Sequence, residues 1–231
     1  MQTIRFRFGG YEVLAVPVLH DNFVYLIVHD GRAVLIDAGE AKPVFRILEQ
    51  EELQLLEIFI THAHHDHVGG CRAIQDRLGV LSTSPAVEER AFKVLGTGCR
   101  SISTPGHMAV HKSYHFPELG ILFTGDTLIN GACGRVLGGT ADQLFDSLQK
   151  IKALPDETRI FGGHDYLAEN MKFALAVEPH NADAKARLDV YRRDPAEAVF
   201  ATLAEEKKTN PFLRVETVEE FAELRLKKDI F

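Results

Sequence analysis

Residues 61–67 read Thr-His-Ala-His-His-Asp-His, directly after the apolar run Ile58-Phe59-Ile60. A short continuous apolar run suits a strand buried on both faces, and the abrupt change to polar residues marks where that strand stops. From Asp66 onward, Val68, Cys71, Ile74 and Leu78 fall at helical spacing, so a helix is expected with Asp66 and His67 in its first turn. Imidazoles and a carboxylate at the carboxyl end of a strand occupy the crevice where ligands bind in open α/β sheets. Such a cluster has few explanations other than a metal site.

Imidazole and carboxylate donors together suit Zn, Fe or Mn, and the lack of a Cys-x-x-Cys pair argues against a closed structural zinc site. One ion rarely collects all the side chains of so short a loop, so two ions sharing it is the natural reading. Further ligands must then come from elsewhere. Candidates stand at later strand ends: His107 in Thr104-Pro105-Gly106-His107, Asp126 in Thr124-Gly125-Asp126, and His164 in Gly162-Gly163-His164. Each follows a glycine, which lets the backbone approach closely where a loop must aim one side chain.

These motifs resemble those of the metallo-β-lactamase-fold hydrolases, and more closely those of the glyoxalase II (hydroxyacylglutathione hydrolase) family, over nearly the whole chain. The resemblance implies one ion held by His62, His64 and His107, a second by Asp66, His67 and His164, and a bridging Asp126. Asp66 and Asp126 are then the carboxylates at the reacting centre. The expected cofactor is two divalent ions per chain, Zn first, with Fe or Mn as alternatives. Asp37 and His111 are expected behind the ligands, orienting them. His65 is read as a solvent-facing spacer, and His20, His29, His115 and His180 as structural.

The last third carries the resemblance from fold to family. Gly163-His164-Asp165-Tyr166, Asn170-Met171-Lys172-Phe173-Ala174, Asn210-Pro211-Phe212-Leu213-Arg214 and Arg225-Leu226-Lys227-Lys228-Asp229 are similar to the helical glutathione-binding domain of glyoxalase II. The implied substrate contacts are Tyr166, Arg225 and Lys228. Arg135 stands where many members carry lysine, and its fork can grip a carboxylate at two points. Leu137 stands where many carry tyrosine and cannot hydrogen-bond, which lowers the expected affinity. The segment from Val80 to Ser101 is shorter than is usual in the family.

A net charge of −7 argues against a nucleic-acid or membrane-surface partner, so Arg225, Lys227 and Lys228 stand out as an anion grip. Cys71, Cys99 and Cys133 are odd in number and unpatterned, which fits free thiols in a reducing, cytoplasmic compartment. No apolar run approaches the length needed to span a bilayer. A monomer is expected.

Strands are expected at 11–18, 22–29 and 32–37, a helix near 43–51, then the motif strand and helix. A second series runs from 99 to 163, with a capping box at Thr140-Ala141-Asp142-Gln143 opening an amphipathic helix. Alternating elements in two halves suit two packed sheets with helices outside, an α/β (α+β) class. The four-layer αββα sandwich is what the resemblance adds. From about 166 strand signals vanish, and Pro179, Pro195 and Pro211 divide the rest into short helices. The expected domains are 1–165, catalytic, and 166–231, helical and glutathione-binding.

The implied reaction is hydrolysis of S-2-hydroxyacylglutathione thioesters, with S-D-lactoylglutathione giving glutathione and D-lactate in methylglyoxal detoxification. A hydroxide held between two ions would attack the thioester carbonyl. A thiolate leaves readily, because thiol pKa values lie near roughly 8.5, so no dedicated general acid is demanded. Two other reactions suit the same fold: a persulfide dioxygenase with a single iron, and a hydrolase of another acyl thioester. A binder of glutathione conjugates that no longer turns over is the non-enzyme alternative, and an intact Asp126 speaks against it.

Overall fold

The computed structural model describes residues 2–83 and 89–231. The first sheet contains β1 (Ile4–Phe8), β2 (Tyr11–Val18), β3 (Asn22–His29), β4 (Arg32–Ile36), β5 (Gln54–Phe59) and β6 (Leu81–Thr83), in that spatial order. β1 to β4 form an antiparallel meander, whereas β4, β5 and β6 run parallel. The parallel pairs need crossovers, supplied by α1 (Ala41–Gln50) and by α2 (His65–Val68) with α3 (Cys71–Leu78).

The second sheet has the order β11-β10-β9-β8-β7. Its strands are β7 (Arg90–Val94), β8 (Thr97–Ser103), β9 (Lys112–Phe116), β10 (Ile121–Gly125) and β11 (Arg159–Gly162). Only β10 and β11 are parallel, joined across α4 (Ala141–Lys152). The expected capping box of α4 is present: Thr140 Oγ1 accepts from Gln143 N, and Gln143 Oε1 accepts from Thr140 N. Leu144, Leu148 and Ile151 are its buried face.

Period-two alternation divides the core into layers. Val13, Ala15, Phe23, Tyr25 and Ile27 face inward against Tyr114, Phe116, Phe123 and Phe161 of the second sheet. Their alternates Leu14, Val16, Val24 and Leu26 face outward against Val44 and Leu48 of α1 and Ile74 of α3. On the far side, Leu122 and Ile160 pack under α4. These are the four layers of an αββα sandwich. After β11 come helices: α5 (Leu167–Val177), α6 (Ala182–Tyr191), α7 (Pro195–Val199), α8 (Leu203–Thr209), a 3-10 turn (Pro211–Leu213) and α9 (Val218–Asp229). Phe173, Leu203, Phe212 and Phe221 from this region join the α4 layer.

Several boundaries differ from the sequence expectation. The motif helix is not continuous: it breaks at Gly69-Gly70 into α2 and α3. A Cβ on Gly70 would lie 2.6 Å from Ala41 N, and Gly70 N–H donates to Ala38 O at 2.6 Å, so the chain turns here to pack on the loop after β4. β1 adds an edge strand ahead of Tyr11, with Phe6 sealing the core against Phe161 and Phe200. Of the 80–101 segment, β6, β7 and the start of β8 are described; residues 84–88 lie outside the described residues. Among the described residues, no helix is long and apolar enough to cross a membrane.

Candidate metal centre

The motif residues meet at one edge of the sandwich, where strands of both sheets end. β4 delivers Asp37, β5 the 61–67 loop, β8 the turn bearing His107, β10 Asp126 and β11 His164. Two groups of side chains converge there: His62, His64, His107 and Asp126, and beside them Asp66, His67 and His164, with the ligand atoms of each group within 4.8 Å of one another. They contain the two triads that the resemblance implies, with Asp126 between them. Its carboxylate lies 3.4 Å from His67 Nε2, 3.5 Å from His107 Nε2 and 3.3 Å from His164 Nε2.

Each imidazole is held from behind. His67 Nδ1 donates to Asp37 Oδ2 at 2.8 Å, His107 Nδ1 to the Arg135 carbonyl at 2.8 Å, and His164 Nδ1 to Asp21 Oδ1 at 2.9 Å. His62 Nδ1 faces Thr61 Oγ1 at 3.1 Å; that hydroxyl donates onward to Asp37 Oδ2 at 2.8 Å. With Nδ1 committed as donor, Nε2 of each ring is the nitrogen turned into the site, available to an ion that displaces any proton it holds. His64 turns the other nitrogen inward, its Nδ1 standing 3.0 Å from both His62 Nε2 and His107 Nε2.

That arrangement fits a cation. Three lone-pair nitrogens at such spacing can share one proton between two of them at most, whereas an ion satisfies them all. His67 Nε2 and Asp126 Oδ1 are buried without a hydrogen-bond partner among the described residues, a costly state unless another group sits between them. The field points the same way. Burial opposes charge on His164, yet Asp126, Asp66 and Asp21 outweigh it and hold its pKa up at about 10. His67 is likewise held well above its usual value, burial being overcome by Asp126 and Asp37. His62 is driven far down by burial and by the neighbouring His67. Nitrogen and oxygen donors without cysteine suit Zn, Fe or Mn.

Asp37 sits in the left-handed region at φ +58°, a conformation that aspartate tolerates better than most residues. There its two oxygens take Thr61 N–H and Thr61 Oγ1–H, both at 2.8 Å, as well as His67. His111 is buried beneath the cluster: its Nε2 accepts the Asp126 N–H at 3.2 Å, and burial pushes its pKa down to about 3. Gly125, at φ +47°, lets Asp126 turn in, since a Cβ would stand 2.6 Å from Thr61 Oγ1 and 2.8 Å from His111 Nε2. His65 is exposed, as a spacer should be.

A cleft of about 750 Å³ opens over the cluster, floored by His64, Asp66, His107, Asp126 and His164. Arg135, Tyr166, Arg225 and Lys228, the sequence-derived substrate contacts, all line it, as does Leu137 at 62% exposure. Tyr166 stacks on the His164 ring with centroids 4.6 Å apart. Burial raises its pKa, so the phenol remains a donor at neutral pH. Arg225 Nη1 donates to the Cys133 carbonyl at 2.8 Å and its Nη2 lies 3.0 Å from Asp229, which leaves Nε without a hydrogen-bond partner among the described residues. Lys228 Nζ sits 5.2 Å over the Phe173 ring, its pKa lowered by burial and by Arg225.

Sequence reasoning missed Asp21, Asn22 and Asn130. Asn22 Nδ2 donates to Asp66 Oδ2 at 2.9 Å, and Asn130 Nδ2 to the His164 carbonyl at 2.6 Å. The usable signal was the polar His20-Asp21-Asn22 interruption between two apolar strands that end at this edge.

Residues 165–231 match the family model described as hydroxyacylglutathione hydrolase C-terminus, and residues 19–104 and 100–164 match that of the metallo-beta-lactamase superfamily. A hydroxyacylglutathione hydrolase of Roseobacter denitrificans is 38% identical over 260 residues, covering 95% of this chain and 99% of that protein. The chain belongs to the hydroxyacylglutathione hydrolase family. Among solved structures, ETHE1 from Myxococcus xanthus superposes with a TM-score of 0.68 at 26% identity, covering 98% of this chain and 90% of that one. TTHA1623 in a di-iron-bound form gives 0.62 at 25% identity, covering 86% and 98%. The family assignment accounts for both halves of the chain, the sandwich that carries the His/Asp cluster and the helical region that brings Tyr166, Arg225 and Lys228 to the cleft.

Proposed function

We propose that this protein hydrolyses S-2-hydroxyacylglutathione thioesters, S-D-lactoylglutathione first among them, to glutathione and the hydroxy acid. The observation that carries this reading is the junction within one cleft of a two-part His/Asp cluster with Arg135, Tyr166, Arg225 and Lys228. Family membership supports the same reaction.

His62, His64 and His107 would hold one ion, Asp66, His67 and His164 the other, and Asp126 both; zinc is the first choice, and the di-iron form of TTHA1623 keeps iron in view. Two such ions would supply an acidified water and a Lewis acid for the thioester oxygen. The chain's own residues do the rest. Asp37, Asp21, Thr61 and the Arg135 carbonyl fix each ring's tautomer, and Asn22 fixes Asp66. Arg225, Lys228 and Arg135 present cations to the two carboxylates of glutathione, and Tyr166 offers a phenolic donor beside His164. A thiolate departs without a dedicated acid.

Residues 1–165 are proposed as the catalytic domain and 166–231 as the glutathione-binding one, because the described strands end at Gly162 and helices follow. A cytoplasmic monomer is proposed, in keeping with the free cysteines Cys71, Cys99 and Cys133.

The test is steady-state hydrolysis of S-D-lactoylglutathione by purified protein, before and after chelation, read as released thiol. Turnover that chelation abolishes and zinc restores is expected. Metal-replete protein that leaves the thioester intact overturns the proposal; oxygen uptake with glutathione persulfide would then favour the dioxygenase reaction.

A further inference from the structure

A buried ion pair far down the chain touches the back of the metal centre. Glu206 of α8 is 1% exposed and pairs with Arg187 of α6, whose Nη2 donates to Oε1 at 2.6 Å. Arg187 is itself anchored, donating through Nε to the Ala198 carbonyl at 3.0 Å and through Nη1 to Thr209 Oγ1 at 2.7 Å. The carboxylate accepts the Gly131 N–H, at 2.9 Å to Oε2 and 3.1 Å to Oε1, and Asn210 Nδ2 at 3.2 Å. Asn210 Nδ2 also donates to the Ala132 carbonyl at 3.0 Å. Residues 131 and 132 are thus fastened by charge-assisted and amide hydrogen bonds to the C-terminal helices.

The loop so fastened reaches three of the ligand residues. Asn130 Nδ2 donates to the His164 carbonyl at 2.6 Å, Gly134 N–H to the Asp126 carbonyl at 2.9 Å, and the Arg135 carbonyl takes His107 Nδ1–H at 2.8 Å. The Cys133 carbonyl, between them, receives Arg225. An ordinary stability role would need no such convergence: a buried ion pair could sit anywhere in the helices, and hydrophobic residues of similar volume often serve as well.

We infer that Glu206, held by Arg187, is a positioning residue for the metal ligands His107, Asp126 and His164, acting through the 130–135 loop. The inference rests on the metal-binding reading above. Through this brace the helical region sets the geometry of the ions' site as well as the walls of the cleft. Partners that orient ligands from behind are worth roughly 10- to 100-fold in metal affinity, and Glu206 acts on three ligands at once.

The test compares Glu206→Gln with Leu48→Ala, a core truncation on α1 packed on the outer face of the opposite sheet and remote from the loop. Zinc dissociation constants are measured by chelator competition, with melting temperatures alongside. Glu206→Gln is expected to raise the zinc dissociation constant by about tenfold or more, while Leu48→Ala lowers the melting temperature and keeps wild-type affinity. Should Glu206→Gln fail to fold, Glu206→Asp, which keeps the charge but withdraws the carboxylate by one methylene, is read in the same way. Wild-type affinity in the Glu206 variant, or an equal loss in both variants, overturns the positioning role alone. Wild-type protein that binds no zinc overturns this inference together with the reading beneath it.

Discussion

Asp37 Oδ2 receives both His67 Nδ1–H and Thr61 Oγ1–H at 2.8 Å, so one carboxylate at the end of β4 sets a ligand of each half of the cluster. Thr61 faces His62 Nδ1 in turn, so the tautomers of His62 and His67 share one origin. Asp37→Asn keeps the shape but loses an acceptor, since its amide nitrogen can only donate. Zinc affinity and kcat are expected to fall by roughly 10- to 100-fold, checked by chelator competition and thioester turnover. Wild-type values for both would show that Thr61 and His67 orient the site without Asp37.

Leu137 lines the cleft rim at 62% exposure, where its side chain offers no hydrogen-bonding group. Leu137→Tyr adds a phenolic donor, and a hydrogen bond of about 0.5–1.5 kcal/mol corresponds to roughly 2- to 10-fold in KM. A lower KM for S-D-lactoylglutathione with kcat unchanged is expected. An unchanged KM would place the tripeptide away from this wall.

Arg225 lines the cleft while Nη1 and Nη2 hold the Cys133 carbonyl and Asp229, and its buried Nε has no hydrogen-bond partner among the described residues. Lysine retains the charge, but its donors sit on a single nitrogen and lack the planar fork that reaches the Cys133 carbonyl and Asp229 together. Arg225→Lys is expected to raise KM by roughly 10-fold or more, as loss of a hydrogen bond to a charged group costs about 1.5–3 kcal/mol. Steady-state kinetics check it; a raised KM with zinc affinity intact separates a substrate contact from damage to the metal centre.

The candidate ligands that converge were legible because all but His107 directly follow a strand, and strand ends announce themselves as apolar runs that stop at a glycine or a polar residue. His62 to His67, Asp126 and His164 all carry that signature. Asp21 and Asn130 lie instead in turns and Asn22 at the first residue of β3 beside one, where aspartate and asparagine are common for local backbone reasons, so only the fold distinguishes them. Glu206 was hidden for a related reason: on a short amphipathic helix a glutamate reads as a solvated face, and its burial depends on Arg187 arriving from another helix. The break at Gly69-Gly70 follows from contact with the 38–41 loop, which periodicity alone does not contain. β1 was readable, since Ile4, Phe6 and Phe8 alternate with arginines; β7 is an edge strand with mostly exposed residues and weak patterning.

His111 supplies a pH prediction because its pKa is pushed down to about 3 by burial, against roughly 6.5 in an unfolded chain. Between those values the unfolded state binds a proton that the folded state does not, so this residue's contribution to stability is intact above about pH 6.5 and declines as pH falls toward 3. Gln at this position cannot titrate, yet its amide oxygen can still accept the Asp126 N–H that His111 Nε2 takes at 3.2 Å. Between pH 7 and pH 5 the wild type should therefore lose about 2 kcal/mol relative to His111→Gln. Urea unfolding of both proteins after chelation checks this, since the other histidines are common to both and ion release at low pH is removed. A difference between the two that stays constant across the pH range would mean that His111 titrates alike in the folded and unfolded protein and is protonated in both at pH 5. At that pH it could no longer accept from the Asp126 backbone, and the support assigned to it beneath the Asp126 carboxylate would have to be withdrawn.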